Sequence, residues 1–175
     1  MSLFRLFGLG IPKVSTSVTI GIMSPEEVEE RVRYLNEKGM LENLKIKLGS
    51  PDGIDHDKEM FSVIFEFLQR HSSKLQVKLR VDANGGWSVE DAHKMLIWLH
   101  KRNVEYVEQP LRWGEEENLR FLFKDRPLPL FVDESCRNSK DIPSLSNYVD
   151  GINLKLMKCG GLTEAMRMVG VSRAH

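Results

Sequence analysis

Lys155 and Lys158 stand in "GINLKLMKCGG" (151–161), at the end of a stretch that otherwise reads as a buried strand. A second pair, Lys45 and Lys47, ends "NLKIKLG" (43–49), and alternation along a strand puts both on one face. Between the pairs, consecutive apolar stretches end in acids: "LRVDAN" in Asp82, with the amide Asn84 on the same face, "YVEQP" in Glu108, and "FVDES" in Asp133, with Glu134 on the opposite face. Neighbouring strands lie about 4.8 Å apart. Carboxylates at one level of a sheet would therefore repel and raise one another's pKa. A divalent cation removes that cost, and an all-oxygen set without His or Cys favours a hard ion, Mg2+ before Mn2+. The lysines suggest the chemistry beside such an ion. A free lysine, with a pKa of about 10.4, is a poor base at neutral pH, and a nearby cation lowers that value. A metal on a substrate carboxylate also stabilises the charge that develops when the adjacent carbon loses its proton. Amines on both faces of that carbon can remove a proton from one side and return it on the other, which is racemisation or epimerisation.

The elements that position these groups alternate. "SVTIGI" (17–22) predicts a strand, and 24–39 predicts a helix with Ser24 as N-cap, Pro25 in the first turn, Glu27 closing a capping box and Gly39 as the stop. Strand 43–49, helix 56–71, strand 76–84, helix 88–103 capped by Ser88, strand 104–110, helix 115–125, strand 128–135, a short helix within 138–147, strand 151–157 and helix 162–175 follow. Strands alternating with helices imply a parallel sheet with right-handed crossovers, as an open doubly wound sheet or a (β/α)8 barrel. A doubly wound sheet would prefer a glycine-rich phosphate loop after its first strand; "GLGIP" (8–12) precedes that strand and lacks the third glycine. In a barrel, strands two and six lie opposite, so Lys47 and Lys155 would face each other across the mouth.

Composition narrows the class. Of 175 residues, 41% are apolar and 29% charged, and 25 basic residues balance 25 acidic ones, which gives no reason to expect nucleic acid or an anionic membrane as partner. No apolar run reaches the roughly 18 residues of a membrane span, and "MSLFRLFGLGIP" lacks the marks of a signal peptide. Cys136 and Cys159, far apart and without a CxxC, predict reduced thiols in a cytoplasmic protein. The acidic loop 50–59 lacks calcium-loop spacing and reads as a solvated turn and helix start.

The strings "LKIKLG", "RVDANGGWSVEDA", "VEYVEQPL", "FVDESC" and "NLKLMKCGGLTEAMRM" together resemble the enolase superfamily, in its muconate-lactonising subgroup, and most nearly dipeptide epimerases of the L-Ala-D/L-Glu type. The resemblance implies that Lys47 and Lys155 are the acid/base pair and that Asp82, Glu108 and Asp133 bind Mg2+, with Mn2+ as a substitute. It places Lys45 and Asn84 near the substrate carboxylate and the metal, puts Thr16 and Ser17 at the substrate pocket, and makes Lys158 a supporting residue. The implied substrate is a small-molecule carboxylate or dipeptide. Related reactions, namely N-acylamino acid racemisation, o-succinylbenzoate synthesis and muconate cycloisomerisation, use the same arrangement. The implied fold is a partial (β/α)8 TIM-type barrel of about six βα units at residues 14–175. It lacks the last two strands and the N-terminal capping domain, of which residues 1–13 would be the exit. Open edges at the first and sixth strands would then call for complementary segments or a homo-oligomer, or mark a truncated, inactive fragment.

Overall fold

The computed structural model describes residues 2–8, 10, 15–71 and 77–175. The expected domain boundary at 13/14 lies outside the described residues. In chain order the elements are α1 (Leu3–Leu6), β1 (Val18–Ile20), α2 (Pro25–Glu37), β2 (Asn43–Lys47), α3 (Ile54–His71), β3 (Lys78–Asp82), α4 (Val89–His100), β4 (Val104–Glu108), α5 (Leu119–Phe123), β5 (Leu130–Val132), α6 (Ile142–Leu145), β6 (Gly151–Ile152), α7 (Leu156–Cys159) and α8 (Leu162–Ala174). The strands form one sheet in the order β1-β2-β3-β4-β5-β6, and every neighbouring pair is parallel. That order decides between the two architectures. A doubly wound sheet reverses its strand order at a switch point, whereas a barrel adds each strand beside the last. The sheet is a partial TIM-type barrel.

Local signals set the helix starts. The Ser24 hydroxyl accepts from the Glu27 N–H, and the Ser24 N–H donates to the Glu27 carboxylate at 2.9 Å. Ser88 caps α4 by accepting from the Asp91 N–H. The expected helix at 115–125 opens instead as a 3-10 turn, Glu116–Asn118, before α5. The helix within 138–147 shrinks to α6, where Pro143 is tolerated because it falls in the first turn.

The two faces of the sheet differ. Leu44, Ile46, Leu48, Leu79, Val81, Val107, Leu130 and Val132 are buried in one aliphatic core with Val28, Val32 and Leu35 of α2, Ile64 of α3 and Met95 and Leu99 of α4. Alternation sends Lys45, Lys47, Arg80, Asp82, Tyr106, Glu108, Phe131 and Asp133 to the other face. A β-bulge aligns that face. Leu79 pairs with Val104 but Val81 pairs with Val107, so β4 carries one extra residue. Without it Val107 would lie beside Asp82; with it Glu108 does. Deeper on the same face Arg80 stacks over Tyr106 and donates to Ser17 at 3.0 Å, and Tyr106 stacks on Phe131 at 4.3 Å.

β6 is shorter than expected. The sequence predicts a strand over 151–157, but only Gly151 and Ile152 pair with β5, and the Asn153 N–H adds one bond to the Val132 carbonyl at 2.7 Å. β5 itself ends at Val132 and offers no further ladder. The chain then stays extended to Lys155, the N-cap of α7, and winds into a turn as the Lys158 and Cys159 N–H groups bond the Lys155 carbonyl. Lys155 thus lies beyond the strand, on the segment leaving it.

Asp150 ties the start of β6 to β5. Its carboxylate accepts from Arg126 Nε at 2.7 Å and from the Leu130 N–H at 2.8 Å. Burial pushes its pKa up, but these hydrogen bonds outweigh burial and hold it below the usual aspartate range. A depressed carboxyl pKa contributes stability that is present above the unfolded-state pKa and is lost as pH falls through the folded one. Asp150→Asn should therefore cost about 0.5–1 kcal/mol at neutral pH, because solvent screens this partly exposed pair, and the deficit should vanish in acid. Urea unfolding of wild type and variant across the acid range measures this; a deficit that does not change with pH would contradict it.

Candidate active site

The polar face gathers most of the expected residues at the carboxyl ends of β2 to β6. Asp82 and Glu108 are register partners on adjacent strands and are 3% and 2% exposed; Asp133, just past β5, is 1% exposed. Buried carboxylates in this number demand positive charge, and the lysines supply it. Lys45 Nζ lies 3.0 Å from Asp82 Oδ2 and 2.9 Å from Glu108 Oε1. Lys155 and Lys158 both donate to the Asp133 carboxylate, one to each oxygen. Burial disfavours charge on Lys45, but its bonds to Glu108 and Asp82 outweigh this and hold its pKa above the usual lysine value. Lys155 behaves likewise: burial lowers its pKa, the Asp133 carboxylate raises it, and the net direction is up. Asp133 shifts the opposite way, because the two ammonium groups outweigh its burial.

Lys47 stands apart from the carboxylates. Its Nζ donates to Asn84 Oδ1 at 2.9 Å. Asn84 adopts a left-handed φ of +49°, and its side-chain amide donates to the Leu48 carbonyl at 3.0 Å and the Asp82 carbonyl at 3.1 Å. Asn84 therefore joins the exits of β2 and β3. Thr16 is exposed on the segment leading into β1, and its neighbour Ser17 accepts from Arg80. Lys158, expected as a supporting residue, makes a larger contribution. Besides the Asp133 carboxylate it donates to the Asp133 carbonyl, and to the Cys136 and Asn153 carbonyls at 3.3 Å each.

The structure adds residues that sequence reasoning missed. Asn153 Nδ2 donates to Glu108 Oε1 at 2.7 Å. Its signal was available, since Asn153 is two residues before Lys155 and alternation puts both on one face. Gln109, buried and at φ +43°, accepts from the Asp133 N–H at 2.9 Å and donates to Ser135 Oγ and the Leu111 carbonyl at 2.8 Å each, so it fixes where Asp133 stands. No pattern in "VEQPL" announces a left-handed glutamine. The loop 50–59 corrects an expectation: Asp57 is buried rather than solvated, and its carboxylate accepts from the Gly49 and Ser50 N–H groups and from the Trp87 indole.

Among the described residues, no three His, Cys, Asp or Glu side chains close around one point. Lys45 bridges Asp82 and Glu108, while Lys155 and Lys158 both pair with Asp133. The donor set nonetheless fits a hard cation: Asp82, Glu108 and Asp133 are buried oxygen donors at consecutive strand ends, and each already accepts from an ammonium group.

Residues 26–175 match the family model described as "Enolase C-terminal domain-like". Among curated proteins, the chain is 55% identical over 175 residues to the hydrophobic dipeptide epimerase of Flavobacteria bacterium (strain MS024-2A), covering 100% of this chain and 49% of that protein. It is 54% identical to the hydrophobic dipeptide epimerase of Roseobacter litoralis, covering 98% and 48%. Among solved structures, the dipeptide epimerase of Cytophaga hutchinsonii complexed with Mg and D-Ala-L-Val superposes with a TM-score of 0.88 at 29% identity, over 98% of this chain and 45% of that one. The Enterococcus faecalis V583 dipeptide epimerase complexed with Mg and L-Leu-L-Tyr gives 0.80 at 33%, over 91% and 43%. The chain thus spans about half the length of the relatives it matches.

Proposed function

The chain belongs to the enolase C-terminal domain-like family, and on that premise we propose that the protein carrying it epimerises dipeptides at the carbon α to a carboxylate. The observation that carries this reading is the set of three buried carboxylates at consecutive strand ends, with Lys47 on one flank and Lys155 on the other. Asp82, Glu108 and Asp133 would hold Mg2+, with Mn2+ as a substitute. When bound, the ion supplies the positive charge that stabilises the charge developing on the substrate carboxylate. Lys45, bridging Asp82 and Glu108, sits where it can also bind that carboxylate, and Thr16 and Asn84 complete the substrate contacts.

The two amines divide the proton transfer. Lys47 Nζ donates to Asn84 Oδ1, a neutral partner rather than a carboxylate. Lys155 is paired with Asp133, and as an ion pair its pKa lies above the ordinary value, the wrong direction for a base. It becomes a base only when Asp133 turns away, so the ligand role of Asp133 and the base role of Lys155 are linked. Relatives at 54–55% identity are named for hydrophobic dipeptides, while L-Ala-D/L-Glu epimerases match at 35% and below, so hydrophobic side chains are the substrate class we favour. Two free cysteines fit a cytosolic protein, and among the described residues no helix is long and apolar enough to cross a membrane.

The test is polarimetry together with α-proton exchange in deuterated water, using the full-length protein, Mg2+, and L-Leu-L-Tyr, D-Ala-L-Val and L-Ala-L-Glu. Epimerisation and exchange with the hydrophobic pair, faster than with L-Ala-L-Glu, is the expected result. No exchange with any dipeptide in a folded protein would overturn the reading.

A further inference from the structure

We propose that Asp57 is a positioning residue that fixes the end of β2, and with it Lys47, against the loop that follows β3; the functional half of this inference rests on Lys47 acting as proposed above. Asp57 lies in the first turn of α3 and is 1% exposed. All three of its described partners are N–H donors. Oδ2 accepts from the Gly49 N–H at 2.9 Å and from Trp87 Nε1 at 2.8 Å, and Oδ1 accepts from the Ser50 N–H at 3.0 Å. A buried carboxylate is expensive unless charge-assisted hydrogen bonds compensate it, so these donors are bound strongly and in a fixed geometry.

The donors come from two different loops. Gly49 and Ser50 follow Lys47 by two and three residues, and Trp87 follows Asn84 by three. Asp57 therefore clamps together the exits of β2 and β3. Between these exits the backbones touch. Gly49 adopts φ +83°, and a Cβ there would fall 2.0 Å from the Ala83 carbonyl oxygen; a Cβ on Gly86 would fall 2.6 Å from Gly49 Cα. The Leu48 N–H bonds the Asp82 carbonyl at 2.8 Å. Lys47, Asn84 and Asp82 are thus held in register by a contact that admits no side chain, and Asp57 locks it from behind, on the helix side. The other amine, Lys155, is on β6's exit and shares none of these contacts. The consequence is asymmetric: loosening the clamp misplaces Lys47, leaves Lys155 where it was, and leaves Asp82 fixed by its ladder with Glu108 on the other side.

Asp57→Asn keeps the shape but removes the charge and one acceptor. The test compares full-length wild type, Asp57→Asn, Trp87→Phe and Lys47→Ala. α-Proton exchange is followed separately on the two stereoisomers of one hydrophobic dipeptide, and amide exchange of residues 48–50 is followed by mass spectrometry without substrate. Lys47→Ala identifies the isomer that depends on Lys47. Asp57→Asn should slow exchange of that isomer by about 10- to 100-fold, the scale of a small misplacement, should leave the other isomer within about twofold, and should speed amide exchange of residues 48–50. Trp87→Phe, which removes one donor and keeps a smaller aromatic ring, should move both readouts the same way by less; it serves if Asp57→Asn does not fold. Equal slowing of both isomers would reduce Asp57 to general stability and overturn the positioning role. Unchanged amide exchange would overturn the clamp itself. If Lys47→Ala spares both isomers, the functional reading fails while the amide exchange still decides the clamp.

Discussion

Lys155→Ala should abolish epimerisation while leaving α-proton exchange on one stereoisomer. Inverting a centre by proton transfer needs an acid on one face and a base on the other, and removing either breaks the net reaction. A positioned general acid or base contributes about 10²- to 10⁴-fold, and turnover should fall by at least that. The remaining amine, Lys47, still takes and returns a proton on its own face, so one isomer keeps exchanging with solvent. The variant should fold, because Lys158 continues to donate to the Asp133 carboxylate after Lys155 is gone. Exchange into each isomer, read by NMR in deuterated water, makes the comparison. Loss of exchange on both isomers, or retained epimerisation, would contradict the assignment of Lys155.

Glu108→Gln should remove metal binding. Glu108 is the middle carboxylate, register partner of Asp82 and the residue immediately before Gln109, which accepts from the Asp133 N–H. Its Oε1 accepts from both Lys45 and Asn153. A glutamine keeps the volume and one acceptor but not the charge. Residues that merely support metal ligands are worth about 10- to 100-fold in affinity, so a ligand lost from the centre should weaken Mg2+ by more than about 100-fold. The fold should tolerate the change, because Lys45 retains Asp82 at 3.0 Å. Titration calorimetry with Mg2+ measures the loss, and an unchanged affinity would remove Glu108 from the metal site.

The sequence carried much of this arrangement because strand alternation is a strong physical signal. The sets Lys45/Lys47, Asp82, Glu108 and Asp133 all end apolar strands, and the structure puts them on one face of one parallel sheet. The capping box of α2 and the Ser88 cap of α4 were legible because each is a local hydrogen-bond pattern. What was not legible is non-local. The bulge that brings Glu108 beside Asp82 leaves no mark in β4, whose residues look like an unbroken strand. The short β6 reflects the length of its neighbour, not its own propensity, so "GINLKLM" reads as a longer strand than it makes. Asp57 looked solvated because its donors come from two loops up to 30 residues away. The pairing of Lys155 and Lys158 with one carboxylate depends on the turn of α7, which alternation does not foresee.

The most direct measurement is a crystal structure of the full-length protein with Mg2+ and L-Leu-L-Tyr. It should show Asp82, Glu108 and Asp133 on the ion, Lys155 released from Asp133, and the Nζ atoms of Lys47 and Lys155 on opposite sides of the substrate α-carbon. An ion held elsewhere, or both amines on the same side of that carbon, would contradict the account.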